Sequence, residues 1–293
     1  MTRELGLGLQ TNRPLGEYAP LARAAEEAGF DVVTCFNDLW FQPALPALLE
    51  IAAATSRVRV GPSCLNPFTV HPVEIAGQIA ALDRASRGRA FLGLAAGAWL
   101  DELGVDTARP VVAVREAWEI VRRLLAGDES GFDGERFSMP AGARLNYEVE
   151  RRELPLLVGT WSPRLAAFAG EQARELKIGG SANPELVPVL RKRIGNDEVG
   201  IVLGAVTVVD EDGDRARALA RERVAMYVDV VARHDPTQPS EDDLHRFAFA
   251  GTPAEVAAQA EAVFEAGALR VDFGIVHGFE LLCREVVPAL TIV

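Results

Sequence analysis

Nowhere in the 293 residues do about 18 apolar positions run uninterrupted, so no segment is long enough to cross a bilayer as a helix. Cysteine is scarce: Cys35, Cys64 and Cys283 stand far apart and without metal-ligand spacing. An odd, sparse count of that kind fits a reducing cytoplasm better than a disulfide framework. Met1 to Gln10 carries no basic region followed by a long apolar run, so no secretory leader is expected. Positive charge is short as well. The formal net charge is −12, which makes nucleic acid and anionic membrane poor partners and leaves a small molecule as the expected one. No pair of carboxylates falls at one strand end and no His/Asp/Glu cluster is visible, so hydrolysis and a bound metal both lack candidate residues.

What the chain does have is a steady alternation of short apolar runs with longer amphipathic ones. Strands are expected at Leu5–Leu9, Asp31–Phe36, Val58–Leu65 and Arg89–Ala95, then at Leu156–Val158, Leu176–Ile178, Gly200–Val209 and Arg270–Val276. Helices are expected over Tyr18–Ala28, stopped by Gly29, and over Ala44–Ala54, Val73–Ala85, Val112–Leu125, Pro163–Arg174 and Pro184–Ile194. One or two more fill Asp214–His234, and others cover Pro253–Ala266 and Leu281–Leu290. Gly131 to Glu153 mixes Gly, Pro and charge and reads as an excursion or short hairpin. Apolar runs suit strands buried on both faces. An open doubly wound sheet could use the same alternation, but eight strand–helix units are the number that closes a barrel. The expectation is therefore one α/β domain over residues 1–293, a (β/α)8 TIM barrel with an excursion between strands four and five.

In such a barrel the residues just after each strand build the site. They include Gln10 after strand one, Asn37 and Asp38 after strand two, and Ser63, Cys64 and Asn66 after strand three, with Gly97 and Trp99 after strand four. Gly159, Thr160, Trp161 and Ser162 follow strand five. These loops are rich in Gly, Ser, Thr, Asn and Trp, so the reactive chemistry is expected to come from an organic cofactor. Gly159-Thr-Trp-Ser-Pro-Arg164 is a turn leading into a helix with Ser162 as N-cap and Pro163 at its first position. Its free N–H groups suit a phosphate, and an ordinary capped helix start would look the same. Asp38 is the strand-end acid that could titrate, or else a solvated loop carboxylate. Trp99 and Trp161 could wall a flat ring or simply pack at the rim. His71 and His277 are each open between a role in the site and a local one, such as capping for His71; His234 and His245 are expected at the surface. Gly93-Leu-Ala-Ala-Gly97 lacks the spacing of a dinucleotide fingerprint.

Several stretches, taken in order, resemble the luciferase-like superfamily of flavin- and deazaflavin-dependent oxidoreductases. They are Ala24-Ala-Glu-Glu-Ala-Gly-Phe-Asp31, Val60-Gly-Pro-Ser-Cys-Leu-Asn66 with His71-Pro72, Ala81-Leu-Asp-Arg-Ala-Ser-Arg-Gly-Arg-Ala-Phe-Leu-Gly-Leu94, and Pro155-Leu-Leu-Val-Gly-Thr160 with Pro163. Within that superfamily the chain looks most like the methylenetetrahydromethanopterin reductase-like branch, which uses coenzyme F-420. The resemblance implies a luciferase-like barrel and hydride transfer between a deazaflavin ring and a small organic substrate at the strand ends. FMN is the second choice of cofactor, and an FMN-dependent monooxygenase or a non-catalytic cofactor-binding relative are the alternatives. It further implies a non-prolyl cis peptide at Ser63–Cys64 behind the ring, the cofactor tail near Gly159 to Ser162, and a homodimer. From their positions at the strand ends, Gln10, Asn37 and Asn66 are expected to hydrogen-bond near the ring, and Asp38 to make a polar contact or transfer a proton. Where that branch carries acids or Asp-His, this chain has Gln10, Asn37-Asp38 and Ala98.

Overall fold

The computed structural model describes residues 2–291. Its chain runs β1 (Glu4–Leu9), α1 (Tyr18–Ala28), β2 (Val32–Cys35), α2 (Ala44–Ala54), β3 (Arg59–Pro62), α3 (Pro72–Ser86), β4 (Leu92–Ala95) and α4 (Pro110–Ala126). The excursion follows, with a two-stranded antiparallel hairpin, β5 (Phe132–Asp133) and β6 (Ser138–Met139). Then come β7 (Leu156–Gly159), α5 (Pro163–Gln172), β8 (Glu175–Gly179), α6 (Leu186–Ile194), β9 (Gly200–Val209), α7 (Gly213–Val224), α8 (Val228–His234), β10 (Ala248–Gly251), α9 (Pro253–Glu265) and β11 (Arg270–His277). A last helical segment covers Phe279–Thr291, with a π-helical turn at Leu282–Val286.

Eight parallel strands pair in the order β3-β2-β1-β11-β9-β8-β7-β4. Isolated bridges Val60–Ala90 and Leu65–Leu94 bring the two ends together, which nearly closes the barrel. The expected strands and the excursion are all found. The sequence reading has no counterpart for β10, which pairs only with Val206–Val209 in the upper half of β9, beyond the reach of β8. Asp214–His234 resolves into two helices, α7 and α8.

Alternation along each strand sorts the side chains. On β1, Leu5, Leu7 and Leu9 point outward into the apolar layer beneath the helices, while Gly6 and Gly8 face the barrel interior, against Asp272 and Phe36. Inside the barrel a small apolar group, Val32, Phe91 and Leu157, shares the space with a column of charge. Arg270, with no exposure, bonds Glu175 at 2.6 Å and Asp272 at 2.7 Å, and reaches Glu4 at 3.5 Å. Arg59 joins Glu4 and Glu175 at 2.5 and 2.8 Å. Lys177 completes the column against Asp272 at 2.7 Å. The three cations and three anions balance, the condition under which charge can be held away from water. Burial alone would raise Asp272, but the adjacent Arg270 and Lys177 hold its carboxyl at about 2.

Polar anchors also hold the outer layer. Glu26, near the end of α1, accepts hydrogen bonds from the amides of Ser56, Arg57 and Val58 at 3.0, 2.6 and 2.9 Å, tying α1 to the turn that opens β3. Burial works against the carboxylate, but these bonds outweigh it and bring its pKa to about 2. Because the folded value lies below the unfolded one, the stabilisation is complete above about pH 4.3 and is lost as the pH falls toward 2. Glu26→Gln should therefore lower stability by about 1–2 kcal/mol at pH 7, allowing for solvent screening at this partly open site. Urea denaturation across pH should show the difference from the unaltered chain shrinking steadily below pH 4; a pH-independent difference would contradict the assignment.

Candidate ligand site

The mouth of the barrel, at the strand C-terminal ends, brings most of the expected residues together. Its floor begins with the turn after β3. The Ser63–Cys64 peptide is cis, as the resemblance implies, and Ser63 N–H donates to the Cys35 carbonyl at 2.8 Å. This turn aims Cys64 Sγ at β4 and β7, where glycine is required. A Cβ on Gly159 would stand 2.7 Å from Cys64 Sγ, and one on Gly93 would stand 2.1 Å from the Pro62 carbonyl oxygen. Phe36 fills the space beside Gly8 on the opposite wall. Gly179, inward-facing at the end of β8, has nothing within 4 Å of where a Cβ would lie, so the cup opens on that side. The floor is thus made of Cys64 set against bare backbone at Gly159 and Gly93.

Two polar side chains stand over it. Gln10 Nε2 donates to Asp38 Oδ2 at 3.3 Å. Asp38 reaches solvent through the mouth, yet the protein packed around it pushes its carboxyl above the ordinary range; the Gln10 bond and the charge of Lys177 work in the opposite direction. Burial likewise pushes the Cys64 thiol up to about 11, against the pull of Lys177 and of hydrogen bonds with Ser63 and Gly159. Cys64 is therefore a neutral wall rather than a ready nucleophile.

Other expected residues do local work. Asn37 Oδ1 accepts from Ala44 N–H at 3.0 Å and so caps α2. Asn66, 6% exposed, uses its carbonyl oxygen on the amides of Phe68 and Thr69 at 3.1 and 3.0 Å, organising its own loop beside Gly97. His71 caps α3 by accepting from Val73 N–H at 3.3 Å, and His277 Nε2 lies 3.3 Å from Asp210. Thr160 Oγ1 accepts from Ser162 N–H at 2.9 Å, shaping the turn into α5, whose N-cap is Ser162 and whose first residue is Pro163. The Ser162 side chain makes no capping bond, so the first N–H groups of α5 have no side-chain acceptor there. Trp161 is half-buried against the core, whereas Trp99 is 40% and Trp40 73% exposed on the rim, the latter held by Glu102 at 2.9 Å.

Sequence reasoning missed the charged residue under the cup, Lys177. A signal was present: the chain has two lysines, Lys177 and Lys192, against twenty-eight arginines. Lys177 sits on a strand that reads as apolar around it, so one of two lysines lies where a solvated charge is least expected.

The state of the Cys64 thiol gives a direct check. With a pKa near 11 its thiolate fraction at pH 8 is on the order of 100-fold below that of an unfolded cysteine. Iodoacetamide at pH 8, with peptide mass mapping, should alkylate Cys64 in the native chain at least that much more slowly than in urea. Comparable rates would show that the thiol is not held in the packed floor.

A comparison with known proteins matches the luciferase-like monooxygenase family model over residues 1–270. Among curated relatives, 5,10-methylenetetrahydromethanopterin reductase from Archaeoglobus fulgidus is 27% identical, covering 92% of this chain and 94% of its own. An F-420-dependent glucose-6-phosphate dehydrogenase from Kineococcus radiotolerans is 29% identical over 86% of this chain and 85% of its own. Of solved structures, the coenzyme F-420-dependent tetrahydromethanopterin reductase from Methanopyrus kandleri superposes with a TM-score of 0.86 at 24% identity, covering 99% of this chain and 100% of that one. A nearly closed eight-stranded barrel with a cis peptide behind a glycine-floored mouth, matched by the family model along most of its length, places this chain in the luciferase-like monooxygenase family.

Proposed function

We propose that this protein is an F-420-dependent oxidoreductase, with FMN as the second ring cofactor, acting on a small organic substrate at the mouth of the barrel. One observation carries the proposal: a mouth lined by Cys64 and Gly159 and open at Gly179, with a carboxylate of raised pKa at its edge. The names of the relatives from Archaeoglobus fulgidus and Kineococcus radiotolerans support the choice of reaction class and, for the latter, of F-420. Either ring needs a flat surface to lie on, and a Cβ at Gly159 would displace Cys64 toward it.

When bound, the ring supplies the hydride acceptor or donor. The chain's own residues do the rest. Cys64 and Gly159 hold one face of the site, so that a substrate approaches from the mouth, which is open at Gly179 and carries Asp38 on the opposite wall. Asp38, oriented by Gln10, takes or returns the proton that accompanies hydride transfer at a substrate hydroxyl or carbonyl. The turn Gly159–Ser162 and the first N–H groups of α5 hold a phosphate-bearing tail.

Titrating the purified chain separately with F-420 and FMN, following tryptophan fluorescence and melting temperature, tests the cofactor assignment. A ligand at a hundred times its Kd stabilises the native state by about 2.7 kcal/mol, so F-420 should move both signals and FMN should do so at higher concentration. No response to either ring would refute the proposal.

Asp38→Asn should lower kcat by about 10²–10⁴-fold while changing cofactor affinity by less than about threefold. Because the Asp38 carboxyl sits above its usual range, the acid limb of the rate profile should fall there as pH drops and Asp38 takes up a proton. That limb should vanish in the variant. A substitution that leaves kcat unchanged would remove Asp38 from the chemistry.

A further inference from the structure

Lys177 is buried, with its side chain 5% exposed, and its ammonium donates to Asp272 Oδ2 at 2.7 Å. The other oxygen of Asp272 is held by Arg270 Nε at 2.7 Å, so the carboxylate is fixed from below and divided between two cations. That is the single hydrogen bond of the ammonium among the described residues, which leaves two of its three donors without a protein acceptor. The ammonium lies 5.4 Å from the centre of the Phe36 ring, on the floor of the cup. In the strand register Lys177 is paired with Gly159, the residue that abuts Cys64 Sγ. Gly204 leaves room for the stem, since a Cβ there would stand 3.1 Å from Lys177 Cε. The titratable groups that face the ammonium are Asp272 on β11, Asp38 after β2 and Cys64 after β3, and its charge is felt by all three.

A cation needed only to balance Asp272 could end inside the column, where Arg270 already ends. Lys177 instead tops the column and, among the described residues, is the buried cation nearest Cys64 and Gly159. An ammonium is a compact point charge, suited to a diffuse acceptor edge rather than to the bidentate geometry arginine prefers. We propose that Lys177 supplies the positive charge of the ligand site, facing the buried edge of a flat ring against Cys64 and Gly159 and favouring the ring state that carries negative charge. The proposal rests on the ring-cofactor function given above. Adding a hydride, two electrons with one proton, to a flavin or deazaflavin ring adds one negative charge to it. Lys177 therefore favours the reduced ring over the oxidised one.

The test compares binding of oxidised and chemically reduced F-420 and FMN, under anaerobic conditions, to the unaltered chain and to Lys177→Met. Asp272 retains its Arg270 partner in that variant. The unaltered chain should bind the reduced ring at least tenfold more tightly than the oxidised one. Lys177→Met should lose about tenfold of that preference, equivalent to ~1.4 kcal/mol or ~30 mV on the bound two-electron couple. A structural loss would weaken both ring states alike and leave their ratio unchanged. A second measurement avoids substitution at Lys177: with 13C,15N-lysine, only Lys177 and Lys192 give side-chain resonances, and Lys192→Arg assigns them. Reduced FMN should shift the Lys177 resonance more than oxidised FMN does and leave that of Lys192 in place. Binding of both ring states with an unchanged ratio and an unmoved Lys177 resonance overturns the role of Lys177 and leaves the cofactor assignment standing. If neither ring binds the unaltered chain, the cofactor assignment and the role of Lys177 both fall.

Discussion

The architecture depends on Arg270. Its guanidinium lies on the barrel interior without solvent exposure and holds Glu175, Asp272 and Glu4 at once. Removing one partner of such a buried set costs on the order of 3–5 kcal/mol, because the remaining charges stay in a medium that solvates them poorly. The column is thus a constraint rather than a surplus of stability. It fixes the register of β1, β8 and β11, and it obliges β1 and β9 to carry glycine at Gly6 and Gly204, where Asp272 and Lys177 need the space.

The site follows from that constraint. Glycines around the upper interior keep the floor low, and Cys64, brought inward by the Ser63–Cys64 turn, fits because Gly159 and Gly93 have no side chains. The column ends upward in an ammonium, while the rim offers Asp38, so opposite charges bracket the cup from below and from the side. The protein packed around Asp38 raises its carboxyl, and the Gln10 bond and the charge of Lys177 restrain the rise. The exposed Trp40 and Trp99 add apolar surface at the entrance.

The eight barrel strands were legible because each is an apolar run bounded by turn residues. The mouth residues followed from the rule that strand C-terminal ends build the site. The pairing of Gln10 with Asp38 follows from adjacent strands whose ends lie side by side. What escaped notice has definite causes. Reading strands as apolar runs shortened β8 to Leu176–Ile178 and left Glu175 outside, and Lys177 within that run carried no expected role, because a charged side chain ordinarily marks a solvated face. Only the pairing across the barrel shows that Glu175 is neutralised by Arg59 and Arg270, and Lys177 by Asp272. Ala248–Gly251 is four residues without a β-branched side chain, so only its partner β9 makes it a strand. Asn37 and Asn66 look like free ligand groups in sequence, but their carbonyl oxygens are committed to backbone amides of their own loops. The cis peptide followed from the family resemblance alone; nothing in the local composition of Ser63 and Cys64 announces it.

The central claim is that a planar ring lies on the floor formed by Cys64 and Gly159, above Lys177. A crystal structure of the chain with F-420 bound tests it most directly. The account predicts ring density stacked against the Ser63–Cys64 turn, one edge toward Lys177 Nζ, the open face toward Asp38 and the tail at the start of α5. A ring found elsewhere on the barrel, or one whose edge toward Lys177 is screened by intervening protein, would contradict it.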